Sequence, residues 1–260
     1  MTQIKAHRQL GFTMVELMVA LLIGLFLMGG LITLVQNNKR AFTSQNGLAG
    51  LQDAERLALI MLNDVVQQAG YFPDPTTNTA LSSMLLYTLP GPAAPATGTL
   101  AAGQSIIGNA AASANAVGDT ITVRYATAPL DGILNCSGNS NPNPAGGVNI
   151  PWTNTFFVSS PTAATPNTLI CVLQDNVQYP LVNGVTNMTI LYGVATGAAG
   201  NNVDTYMTAA QVTVAAAWNS VVSVQITLTF KNPLVGQPGQ PTGGPASFQV
   251  QRTISIMNKV

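Results

Sequence analysis

The stretch Gly11-Phe12-Thr13-Met14-Val15-Glu16 decides how the rest of the chain is read. Before it lies a short basic leader, Met1 to Leu10, with Lys5, His7 and Arg8. After it, Leu17 to Val35 contains no charged residue. A secretory signal places its small-residue cleavage site after an apolar core of about 7–15 residues. Here the small residue, Gly11, comes before the apolar run. Cleavage there discards the leader and leaves the apolar segment on the mature chain. The 24 residues from Phe12 to Val35 span about 36 Å as a helix, enough to cross a hydrocarbon core of about 30 Å. Lys39 and Arg40 close that segment, and Lys5 and Arg8 ahead of it favour a cytoplasmic N-terminus.

This arrangement resembles the class III signal of type IV pilins and pseudopilins. Gly11 matches the glycine of that signal, Phe12 the new N-terminus, and Glu16 the acidic residue four positions further on. The resemblance implies that a prepilin peptidase cuts between Gly11 and Phe12 and methylates the new N-terminus. It also implies that Glu16 meets the N-terminus of a neighbouring subunit during assembly. A carboxylate in a membrane-spanning segment costs about 3 kcal/mol at the helix centre and less near an end, so it usually has a partner. After cleavage the α-amino group of Phe12 would lie one helical turn from Glu16. The plainer alternative is a simple anchor in which Glu16 only snorkels to the interface.

The helix continues beyond the membrane segment. From Phe42, the residues Leu48, Leu51, Leu57, Leu59, Met61, Leu62, Val65, Val66 and Ala69 recur at three- and four-residue steps, with Gln52, Asp53, Arg56, Asn63, Asp64 and Gln67 between them. The spacing predicts an amphipathic half over residues 36–70, ending near Gly70, with Pro73 soon after. Gly24, Gly29 and Gly30 soften the apolar half. Gly47-Leu48-Ala49-Gly50-Leu51-Gln52, Leu57-Ala58-Leu59 and Ala69-Gly70-Tyr71-Phe72 resemble the PilW family of minor pilins. Many relatives carry a cysteine just after Gly-Tyr-Phe, where this chain has Pro73-Asp74-Pro75.

Residues 71–260 read as a β-rich domain. Pro73 to Val117 is a long loop region with room for one strand around Met84 to Leu89. Asp119 to Tyr125 alternates apolar and polar, as a half-buried strand does. Further strands are predicted at Thr155–Val158, Thr168–Leu173, Gly184–Val194, Trp218–Phe230 and Ala246–Ile256. Leu134 to Ile150 reads as a loop holding Cys136. Tyr192-Gly193-Val194 and the last two strands resemble C-terminal segments of the same family. The fold class is α+β: a long N-terminal helix, membrane-spanning in its first half, packed on an antiparallel sheet domain.

Only 7% of residues are charged and the formal net charge is zero, which leaves no basic surface for nucleic acid as the main partner. The two cysteines, Cys136 and Cys171, lie outside the cytoplasm if the anchor is read correctly, which points to one disulfide. Two buried free thiols are the alternative. The only histidine, His7, is in the leader, so no Ser-His-Asp or Cys-His system is available after cleavage. No phosphate-binding glycine loop has a strand-to-helix context. No cofactor, metal site or enzymatic activity is expected, and Trp152 and Trp218 read as core or interface residues.

The resemblance implies a minor pilin that helps initiate a type IV pilus and sits at or near its tip, serving twitching motility, adhesion or DNA uptake. Its partners would be other minor pilins, the major pilin, a tip adhesin, the prepilin peptidase and the inner-membrane assembly machinery. Its location would be the inner membrane, single-pass with the C-terminal domain in the periplasm, and then the pilus. Two other readings stand beside it: a minor pseudopilin of a type II secretion system, and a membrane-anchored ligand-binding module.

Overall fold

The computed structural model describes residues 11, 13–89, 97–110, 116–162, 166–197, 202–237 and 244–258. The basic leader with Lys5, His7 and Arg8, and the expected new N-terminus Phe12, lie outside the described residues.

Helix α1 runs unbroken from Met14 to Gln67. Its 54 residues span about 80 Å at 1.5 Å each. The helix ends where Gly70 adopts φ +81°, a left-handed conformation open to glycine at little cost. A Cβ on Gly70 would also meet the Asn258 carbonyl oxygen at 2.7 Å. The Gly70 N–H donates to the Arg124 carbonyl (3.0 Å) and the Ala126 N–H donates to the Tyr71 carbonyl (2.8 Å). The Gly-Tyr segment therefore turns the chain off the helix and straight onto a strand.

Short elements follow: α2 (Ala80–Ser83), β1 (Tyr87–Thr88) and β2 (Thr99–Leu100), the last two forming a small ribbon. A five-stranded meander comes next, with β3 (Ile106–Asn109), β4 (Thr120–Thr127), β5 (Ile150–Val158), β6 (Thr168–Val172) and β7 (Gln178–Asn183) in spatial order. Gly184, at φ +85°, turns β7 directly into β8 (Val185–Val194). With β8 the chain leaves the first sheet for a second. That sheet has the order β11-β10-β8-β9, where β9 is Thr205–Met207, β10 is Val221–Lys231 and β11 is Ser247–Ser255. Helix α3 (Ala209–Val214) fills the crossover from β9 to β10. All pairings are antiparallel.

Ala58, Leu62, Val65, Val66 and Ala69, the buried stripe at the end of the helical segment, share one core with Tyr125 and Phe156 of the first sheet and Met188, Val224, Ile226 and Phe230 of the second. The helix end thus lies over both sheets. Tyr192 of β8 links them from within: it is fully buried, and its hydroxyl end meets the face of β3 at Gly108, where a side chain would overlap it. Trp218 packs edge-on against the same ring, centroids 4.9 Å apart at 79°.

Several expectations are corrected. Among the described residues the sheet domain has two main sheets and the small β1–β2 ribbon, where one sheet was expected. Among its described residues, the region 73–117 holds three short strands and α2. The strand expected at Thr155–Val158 begins at Ile150, Trp218–Ser220 is a 3-10 turn ahead of β10, and β7, β9 and α3 were not anticipated. Leu57 and Phe42 belong to the predicted apolar stripe but are 43% and 64% exposed. β4 was read as half-buried, yet every residue from Thr120 to Thr127 is buried. Its second face is covered by the α2–β2 segment, which Arg124 fastens. The guanidinium is 2% exposed and donates to the main-chain carbonyls of Met84, Leu85, Ala101 and Gln104. Burial pulls its pKa down to about 10, so it stays charged at neutral pH and is held by carbonyl dipoles.

Candidate processing and assembly site

The start of α1 is built by a reciprocal cap. Thr13 is the N-cap, with extended backbone (φ −77°, ψ 152°). The Glu16 N–H donates to Thr13 Oγ1 (3.3 Å). In return, the Thr13 N–H and the Thr13 hydroxyl each donate to Glu16 Oε2 (3.1 Å). This capping box satisfies two of the orphan donors at the helix start and sets a carboxylate where the helix dipole is positive. Sequence reading weighed Glu16 only as a charge and missed Thr13. The Thr-x-x-Glu spacing was the available signal.

The structure places Gly11 in the open, three residues before the helix. Both hydrogen bonds to Glu16 fall on Oε2, and none of the described residues reaches Oε1.

Behind this site the helix is apolar on all sides. Its most apolar 18-residue window has a mean hydropathy of 2.6, and none of that window is buried by the rest of the chain. Leu22, Leu25, Phe26 and Leu31 stand 64–85% exposed. Apolar surface of this extent needs a covering of lipid or of other helices.

The far site residues are joined as one unit. Cys136, in the loop after β4, bonds to Cys171 on β6, with Cα atoms 6.3 Å apart and the two residues 35 positions apart in sequence. The Cys136 N–H donates to Asn154 Oδ1 (2.9 Å). The Tyr125 hydroxyl donates to the Leu134 carbonyl (2.7 Å) from beneath the same loop. Burial raises the Tyr125 phenol above its ordinary range. The structure does not bring the disulfide and Glu16 together; the length of α1 separates them.

The fold and the apolar helix with its capped acidic start define a membrane-anchored, type IV pilin-like protein. The prokaryotic N-terminal methylation motif matches residues 6–32, over the leader, Gly11, Glu16 and the apolar run. The family described as Type IV Pilus-assembly protein W matches residues 155–253, from the middle of β5 to the end of β11. Taken together, these matches support a type IV pilin-like minor pilin of the PilW family, with the N-terminal helix as its membrane anchor. The PilW match falls on the strands and leaves out Gly47–Phe72, the stretch that carried much of the resemblance in sequence. No curated protein and no solved structure matches the chain.

Proposed function

We propose that this minor pilin is cut between Gly11 and Phe12 by a prepilin peptidase and helps initiate the pilus from the inner membrane. Its domain faces the periplasm before assembly, and the subunit sits at or near the pilus tip with other minor pilins, the major pilin and an adhesin as neighbours. Its part in motility, adhesion or DNA uptake is structural and not enzymatic. One observation carries this reading: a single continuous helix whose first half buries nothing in its own chain while its last turns are locked into the domain. Such a helix can exchange lipid for neighbouring helices without disturbing the domain it holds.

Glu16 is the selecting group in this scheme. Once Phe12 is the N-terminus, its ammonium seeks an anion in a low-dielectric bundle, where such pairs are far stronger than in water. Oε1 of Glu16 is open to a neighbour's ammonium while Oε2 keeps the cap. Glu16→Ala should therefore insert into membranes at normal abundance yet lower surface pilus yield when it is the sole copy. Wild-type pilus yield at normal membrane levels would refute an assembly role for Glu16. Mass spectrometry of the membrane-extracted protein tests the cleavage; an intact Met1 in a peptidase-positive host would refute it. Deleting the gene should abolish pili and spare secretion, and the reverse result would make the chain a secretion pseudopilin.

A further inference from the structure

The two main sheets end in the edge strands β3, β7, β9 and β11. A strand edge is a row of open main-chain groups, and proteins blunt such edges against stray pairing by shortness, proline, bulges or charge. β3 has 4 residues and β9 has 3. β7 carries Pro180, and its pairing with β6 shifts register between Leu169 and Ile170. β11 is built otherwise. It runs for 9 residues without a proline, and its pairing with β10 keeps one register from Ser247 to Ser255.

That register says which main-chain groups of β11 face outward. Just past its two ends, the Ile256 N–H donates to the Val222 carbonyl (2.9 Å) and the Asn232 N–H donates to the Ala246 carbonyl (3.1 Å). Hydrogen-bonded pairs alternate with non-hydrogen-bonded ones along an antiparallel ladder. Even-numbered residues of β11 therefore bond to β10, and Ser247, Gln249, Gln251, Thr253 and Ser255 turn their N–H and C=O groups away from it. None of these groups has a main-chain partner among the described residues. The edge is open, with Gln249, Gln251, Arg252, Thr253 and Ser255 all exposed. Alternating donors and acceptors at strand spacing are complementary to the main chain of another extended segment.

The side chains narrow what that segment is. Phe248, Val250, Arg252 and Ile254 share the face that looks to the core, opposite Phe230, Leu228, Ile226 and Val224. Phe248 and Val250 are only half-buried, so an added strand meets apolar surface there. Arg252 is the one charge on β11 and has no ion pair or hydrogen bond among the described residues. In an antiparallel addition it falls in a non-hydrogen-bonded pair, the closer of the two kinds, which favours an opposite charge across from it. A second copy of this chain fits less well. Pairing all the outward groups of β11 with those of its copy centres the pair on Gln251, and the two Arg252 side chains then meet as diagonal neighbours on one face.

We propose that the outer edge of β11 takes an extended segment of a companion subunit as a further strand, with apolar residues beside Phe248 and Val250 and a carboxylate across from Arg252. The proposal rests on the pilus-assembly reading, which supplies the companion subunits, and names a contact for it.

The test places a photo-crosslinking amino acid at Gln249 of the full-length protein, in membranes of a host with its companion pilins. The same probe at Thr189 is the control, since Thr189 is exposed on the same outer face of the sheet but on β8, away from this edge. Gln251→Pro removes an outward N–H and puts a ring on the edge without touching a bond to β10. Arg252→Glu reverses the charge and leaves the main chain intact, so it decides the matter where the proline unsettles the fold. We expect the Gln249 adduct, mapped by mass spectrometry, on one apolar-polar alternating segment of a companion subunit that carries Asp or Glu. Its yield should fall about ten-fold in each variant, the loss expected of one hydrogen bond or charge pair, with protein abundance and the disulfide unchanged. A Gln249 yield no higher than at Thr189 would overturn the proposal. So would an adduct on lipid, on a second copy or on a segment without an acidic residue, or an undiminished yield in Arg252→Glu or in a stably folded Gln251→Pro. The crosslink is read in membranes, so normal pili without the adduct would remove this contact and leave the assembly reading standing.

Discussion

The two halves of α1 are both rich in Leu, Val and Met, yet they meet opposite fates. Leu17 to Val35 is apolar all round and buries nothing in the chain, whereas Ala58, Leu62, Val65 and Val66 form one stripe with no exposed surface to speak of. The difference teaches that apolar content does not decide burial; the pattern does. A helix that is apolar on every face cannot be satisfied by one protein surface and needs lipid or a bundle. A helix apolar on one stripe can be satisfied by a sheet. The polar residues that interrupt the second half, Gln52, Asp53, Arg56 and Asp64, are what convert a membrane helix into a domain helix without a break in the backbone.

The comparison can be broken most severely at the disulfide, which belongs wholly to the domain side. Replacing Cys136 and Cys171 by Ser should lower domain stability by about 3–4 kcal/mol on the chain-entropy account of a loop this long, and should leave membrane insertion unchanged. Thermal unfolding in detergent with fractionation of cells checks both. Equal loss of membrane-bound protein would show that the two halves are not independent.

Nearly as large is the contrast between two leucines. Leu62 is fully buried and Leu22 is 68% exposed. Leu62→Ala should cost about 2–5 kcal/mol, and Leu22→Ala should leave the domain's midpoint where it was. Similar shifts for both would mean that the first half is packed against the domain.

A pH titration sharpens the same division. Tyr125 and Tyr192 are buried, and burial raises both phenols; for Tyr192 nearby Asp119 adds to the rise. Above pH 10 the unfolded phenols ionise while the folded ones do not, so the unfolded state binds fewer protons and stability falls with pH. Each phenol contributes about 1.4 kcal/mol per pH unit. Arg124, pulled down to about 10, acts with the opposite sign and offsets one of them. Tyr71 and Tyr87, also raised by burial, act in the same direction as the other two phenols, so denaturant melts should show stability falling above pH 10. The fall should be shallower in Tyr125→Phe, and a flat profile in the wild type would contradict the buried phenols.

The smallest effect lies at the helix start. Thr13→Ala removes one arm of the capping box and should weaken the first turn by about 1 kcal/mol. Faster hydrogen exchange at residues 14–17 with an unchanged domain midpoint is the expected result. A shift in the domain midpoint would show the cap coupled to the fold.

The sequence by itself determined the apolar anchor segment, the helix over nearly its full length, and the strands β4, β6, β8, β10 and β11. Each of these is written in a local period: an unbroken apolar run, a helical step of three or four, an alternation of two. The Thr-x-x-Glu cap was written there too and went unread. The sequence also pointed to the Cys136–Cys171 pair, because two cysteines admit only one pairing. β7 escaped because Pro180 reads against a strand, and only its place at the sheet edge makes a missing N–H harmless. Arg124 escaped because alternation puts a charge on the wet face, while the structure roofs that face with a segment some 20 to 40 residues earlier in the chain. The division into two sheets was decided by tertiary structure alone. Gly184 turns β7 into β8 with no local mark that the next strand will pair elsewhere. What separates the sheets is the fit of Tyr192 against Gly108 and of the helix end over both, contacts between residues far apart in sequence that no local pattern can encode.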